Sequence, residues 1–171
     1  QFILSNCDKI ICLSKWIKSK FVEGLDNNQL SKIEFFYPGI KPIKKFNSKK
    51  KNIIIFVGKL NKDKGYHIYL DAVSSFVMKN KNWKAISVGS EARRSIPKVD
   101  NVNELGDLSN DEVLKLYDTA SIAVANSTRN EPLGRLQLEA ASRGCLPIVS
   151  NSGGLTETLD KKNRHILKNN T

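Results

Sequence analysis

The chain has 171 residues, 40% of them apolar and 26% charged, which suffices for a packed domain of ordinary globular composition. No apolar stretch approaches the roughly 20 residues that cross a bilayer, and Gln1 to Leu4 has no charged segment followed by an apolar run, so neither a membrane span nor a signal peptide is readable. The net charge of +11 raises nucleic-acid or anionic-membrane binding, but lysines scattered among asparagines, as in Lys79-Asn80-Lys81-Asn82, argue against nucleic acid.

The chain opens on Gln1, and we read it as part of a longer protein. Lys9 to Leu13 predicts a short buried strand. Cys7 and Cys12 fall in one strand-like run, on opposite faces because their separation is odd. Together with Cys145 they are expected to be buried free thiols of a reducing compartment, which points to the cytoplasm. Ser14 is placed to cap a helix carrying Trp16, Ile17, Phe21 and Val22, and Ile33 to Tyr37 gives a second strand ending at Pro38-Gly39. Lys41 to Lys51 then reads as a solvated connector, with weak attraction to anionic lipid as its alternative use. Residues 1–50 are thus expected to form one unit and 51–171 another, the second truncated at its end.

From Asn52 the pattern alternates. Apolar runs at Ile53 to Val57, Ala85 to Val88, Ile122 to Ala125 and Leu146 to Ser150 are separated by segments of helical period, which predicts an α/β fold with a doubly wound parallel sheet. One helix presents Tyr66, Tyr69, Leu70, Val73, Phe76 and Val77 as a stripe; Ser109 and Glu112 form a capping box that opens another. Ligands of such sheets lie beyond the carboxyl ends of the strands, so the following loops are where chemistry is sought.

Two constellations stand there. Gly58 to Gly65 is bounded by glycines and carries Lys59, Lys62 and Lys64 just before a helix, a place that suits a phosphate, although an exposed lysine-rich loop is the bland alternative. The second is Asn130-Glu131-Pro132-Leu133-Gly134-Arg135-Leu136-Gln137-Leu138-Glu139-Ala140. Pro132 and Gly134 suggest a helix entered near Leu133, which puts Glu139 about 9 Å beyond Glu131 along the axis. A diphosphate at the helix amides would then leave Glu131 beside a sugar and Glu139 beside a ribose. The alternative for Glu139 is a solvated helix residue, but Leu136, Ala140 and Ala141 around it favour partial burial.

Gly58 to Glu157 resembles the carboxyl-terminal domain of the retaining GT4 family of glycosyltransferases. The resemblance is carried by Gly58-Lys59-Leu60 with Lys64-Gly65, Val88-Gly89, Leu105-Gly106, Glu131-Pro132-Leu133-Gly134, Glu139-Ala140, Arg143-Gly144-Cys145, Pro147-Ile148-Val149 and Gly153-Gly154-Leu155-Thr156-Glu157. It implies the Rossmann-like donor half of a two-domain GT-B enzyme, preceded by a short remnant of the acceptor domain. It is most similar to members that build lipopolysaccharide or other surface glycans. The resemblance assigns Glu131 to the donor sugar, Glu139 to the ribose, and Lys59 and Lys64 to the diphosphate, with Gly58, Leu133, Gly134 and Arg135 completing the donor site. Lys59 stands where the family more often has Arg, and Leu133 where it usually has Phe. The glycine pair Gly153-Gly154 matches one near the donor, with a structural turn into a following helix as an equal reading. Faintly, Asp8 to Ser14 and Tyr37-Pro38-Gly39-Ile40 resemble the end of the acceptor domain. His67 and His165 match no catalytic position, and His67 reads as a surface or packing residue.

The resemblance further implies a nucleoside-diphosphate-sugar donor, no cofactor and no metal, and the chain carries no Asp-x-Asp pair to hold one. A glycan or lipid-linked acceptor would be bound mainly by the other domain, at the cytoplasmic membrane's inner face or in the cytoplasm. The alternative of a different class is a nucleotide-sugar-binding module without catalysis.

Overall fold

The computed structural model describes residues 2–41, 49–91, 101–160 and 165–167. The opening unit runs α1 (Phe2–Ser5), β1 (Ile10–Cys12), α2 (Lys15–Phe21), α3 (Asn27–Ser31) and β2 (Ile33–Phe35). Ser14 caps α2 as expected, its hydroxyl accepting the Ile17 amide at 3.0 Å, while Asp26 and Gln29 close a capping box on α3. β1 and β2 pair in parallel with Ile10 opposite Ile33, over a small core of Leu4, Cys12 and Ile33. Cys7 departs from expectation: it lies in the link between α1 and β1, outside the strand, and is only half-buried, whereas Cys12 and Cys145 are buried.

The larger unit continues β3 (Lys51–Val57), α4 (Tyr66–Lys79), β4 (Lys84–Val88), β5 (Val102–Glu104), α5 (Asn110–Thr119), β6 (Ala120–Ala125), α6 (Leu136–Ser142), β7 (Leu146–Ser150) and β8 (His165–Leu167). Its six strands stand in the order β5-β4-β3-β6-β7-β8, and every pairing is parallel. The chain builds outward from β3 in one direction and from β6 in the other, so the order reverses between them. Above such a reversal the flanking loops part and leave a crevice.

Alternation along β3 divides the core into two layers. Ile54 and Phe56 face α4, where they meet Tyr66, Tyr69, Leu70, Val73 and Val77; Ile55 faces α5 and α6 and meets Val113, Tyr117, Ala123 and Ala140. Each such large side chain contributes about 1.5–3 kcal/mol by leaving water. Phe76 falls at the margin of the α4 stripe, 38% exposed, with its ring edge-on to Trp83. Lys50 also differs from its reading as a solvated connector residue, since its ammonium group donates to the carbonyls of Tyr117, Asp118 and Arg143. Pro42 to Ser48 of that connector lie outside the described residues. No helix among the described residues is long and apolar enough to cross a membrane.

Candidate functional site

The loops after β3 and β6 meet where the strand order reverses. Gly58 donates its amide to Val88 O at 2.9 Å, and a side chain on Gly89 would stand 2.0 Å from Gly58 O, so the loops after β3 and β4 touch backbone to backbone. Further on, Asn61 Oδ1 accepts the Lys64 amide at 3.0 Å and turns the loop toward α4. Gly65 has φ 72°, and a Cβ there would lie 2.1 Å from Asn126 O; only glycine allows this approach of α4's start to the end of β6. Asn126 Nδ2 donates to Gly65 O at 2.9 Å, and the Thr128 amide and hydroxyl donate to Asp63 O and Lys62 O. The two loops are stitched together.

That stitching brings Lys64 to Glu131. Lys64 Nζ donates to Glu131 Oε1 at 2.5 Å, and Ser127 Oγ donates to the same oxygen at 2.7 Å. The Glu131 side chain is 16% exposed and that of Lys64 38% exposed, so the pair is shielded on its carboxylate side and open on its ammonium side. Glu131 is held from below as well. It bridges to Gly153, its carbonyl accepts the Gly154 amide at 2.8 Å, and a Cβ on Gly153 would stand 2.2 Å from Glu131 O. The glycine pair therefore serves the backbone of Glu131. It enters a series of turns, with no helix after it among the described residues.

The helix expected near Leu133 begins three residues later, at Leu136. Gly134 has φ 78°, a left-handed conformation outside the helical range, and this delays it. Glu139 therefore lies in the first turn of α6, where it accepts from Arg135 at 3.2 Å with 16% of its side chain exposed. The expected partial burial is observed, but the expected amides at Gly134 and Arg135 precede the helix. Glu139 and Arg135 line a cavity of about 350 Å³ between the start of α5, α6 and Gly39 to Lys41. Burial first, and then the Glu139 carboxylate, hold the Tyr117 phenol well above its ordinary range, and its hydroxyl is buried without a partner among the described residues.

The structure thus joins Lys64 with Glu131, and Arg135 with Glu139. Lys59 is exposed and forms no ion pair among the described residues, and Leu133 is buried at 3% exposure beneath the loop. His67 is exposed, as expected. Sequence reasoning missed Ser127 and Gln137. The first lies two residues past the end of β6, so the strand-end rule could have found it. Gln137 is fully buried and its amide donates to Leu133 O, Gly134 O and Leu155 O, a contact set without any sequence signal.

Comparisons with known proteins address the family and the fold. The family model described as glycosyl transferases group 1 matches residues 40–171. Spore coat protein SA of Bacillus subtilis is 30% identical over 132 residues, covering 68% of this chain and 35% of its own. The uncharacterized glycosyltransferase MJ1178 of Methanocaldococcus jannaschii is 30% identical over 166 residues, covering 92% of this chain and 44% of its own. Among solved structures, Anabaena Alr3699/HepE in complex with UDP and glucose superposes with a TM-score of 0.75 at 18% identity, over 95% of this chain and 50% of its own. Sucrose-phosphate synthase of Thermosynechococcus elongatus gives 0.76 at 19%, over 98% and 47%. The fold is that of the Rossmann-like domains of GT-B glycosyltransferases. The chain spans half or less of the length of these relatives.

Proposed function

The chain belongs to the group 1 glycosyl transferases, and from that membership we propose that it is the donor-binding part of an enzyme that transfers a sugar from a nucleoside diphosphate to an acceptor hydroxyl with retention of configuration. One observation carries the reading: Lys64, from the loop after β3, and Glu131, from the loop after β6, meet where the strand order reverses. Departure of the diphosphate is the hard step. Lys64, with Lys59 behind Gly58, would neutralise its growing charge in a preorganised site, without a metal. A diphosphate competing for Lys64 releases Glu131 to accept hydrogen bonds from the sugar. Glu139 would take the ribose hydroxyls, with Arg135 at its side and Leu133 and Gly134 shaping the loop between.

In this reading residues 1–50 close an acceptor domain and 51–171 form the donor domain. The acceptor is a glycan or a lipid-linked glycan, used at the cytoplasmic face of the membrane. The similarity of the fold to the lipopolysaccharide outer core galactosyltransferase WaaB and the UDP-glucose complex of HepE support surface-glycan synthesis and a nucleotide-sugar donor. Calorimetric titration with UDP-, GDP- and ADP-sugars tests the donor site. One of them is expected to bind, and Lys64→Ala to weaken it by about tenfold or more, the loss of a charge-assisted contact. Failure of all three to bind at millimolar concentration contradicts the proposal.

A further inference from the structure

The opening unit is tied to the large sheet at the loops that hold Glu131. Ser14 is fully buried; its hydroxyl accepts the Ile17 amide at 3.0 Å and donates to Pro132 O at 2.5 Å, so one atom joins the start of α2 to the residue next to Glu131. Glu157 completes the joint. Its carboxylate accepts the amides of Lys15 and Trp16, each at 2.7 Å, and the Tyr37 hydroxyl at 2.9 Å. The first amides of α2 are thereby satisfied by Ser14 and by a carboxylate more than 140 residues away, a charge placed to suit the helix start.

The segment between these two contacts is packed without slack. A Cβ on Gly154 would meet Pro132 O at 2.4 Å and Ser14 Oγ at 3.0 Å, while the Gly154 amide donates to Glu131 O. The backbone of Glu131 and Pro132 is clamped between Ser14 and the glycine pair. A displacement of α2 therefore transmits to the Glu131 backbone directly.

We propose that Ser14 and Glu157 are positioning residues for Glu131, so that recognition of the sugar part of the donor depends on how the opening unit is seated. This rests on the donor-site reading above. It predicts a division that a merely structural role does not produce: the sugar's contribution to affinity falls while that of the nucleoside diphosphate stays.

Calorimetric titration of the full chain with UDP and UDP-glucose, GDP and GDP-mannose, and ADP and ADP-glucose measures that division. Ser14→Ala and Glu157→Gln are expected to weaken the bound sugar nucleotide about tenfold and its nucleoside diphosphate by less than about twofold. Asp26→Ala, which removes the equivalent cap of α3 in the same unit, is expected to change neither. Thermal unfolding run in parallel identifies folded variants, and Glu157→Gln decides the matter if Ser14→Ala does not fold. Equal weakening of both ligands overturns the positioning role. So does a Glu131→Gln variant that loses the sugar's contribution while Ser14→Ala and Glu157→Gln retain it, and the donor reading then survives. If Glu131→Gln also retains it, or no pair binds, the donor reading falls and the positioning role with it.

Discussion

Cys145 shows how burial sets the chemistry of a single side chain. It packs under α5 and α6, its thiol donating to Tyr117 O and Ala120 O, and burial pushes its pKa from an ordinary 9.0 up to about 11, against a smaller lowering by Lys50. The neutral thiol is the form the fold favours. Its contribution to stability is present below the unfolded value of 9.0 and is lost as pH rises through about 11. Urea unfolding between about pH 9 and pH 10 is expected to show stability falling, and Cys145→Ala to flatten the fall. An identical slope in wild type and variant contradicts this assignment. The Lys64 and Glu131 pair is a different case, because Lys64 is 38% exposed. A pair so open to water contributes about 1 kcal/mol or less, so its value lies in placing charge for a ligand, not in holding the fold.

At the scale of elements, Lys50 joins two helix ends. Its ammonium group reaches the carbonyls of Tyr117 and Asp118 near the end of α5 and that of Arg143 just after α6, where unpaired carbonyls and the helix dipole favour a cation. Lys50→Met is expected to cost about 1–3 kcal/mol in urea unfolding, because carbonyls are left unpaired. No change in the midpoint would mean that water replaces the lysine without loss. Four strands of the large sheet were legible because burial on both faces makes them continuous apolar runs, as in Ile53 to Val57. β5 and β8 were not, being three residues each, too short for a pattern to stand out: β5 has one apolar residue, Val102, and β8 only the pair Ile166-Leu167. The start of α6 was misplaced because Pro132 suits a first helical turn, whereas the left-handed backbone of Gly134 interrupts it.

For the molecule as a whole, the meeting of the loops after β3 and β6 was legible in outline. Glycines at 58, 65, 153 and 154 and charges at Lys64 and Glu131 mark loop ends in the sequence, and the order of strands brings them together. Ser14 and Glu157 gave no such mark, since a hydrogen bond across 118 or 141 residues leaves no local spacing to read. The central claim is that a diphosphate is held where Lys64 faces Glu131. Backbone amide shifts of the isotopically labelled chain, followed by NMR as UDP, GDP and ADP are added in turn, locate any bound diphosphate directly. The largest changes are expected at Gly58 to Gly65 and Ser127 to Arg135, for whichever nucleotide binds. Changes confined to other surfaces, or none with any of the three, would contradict the account.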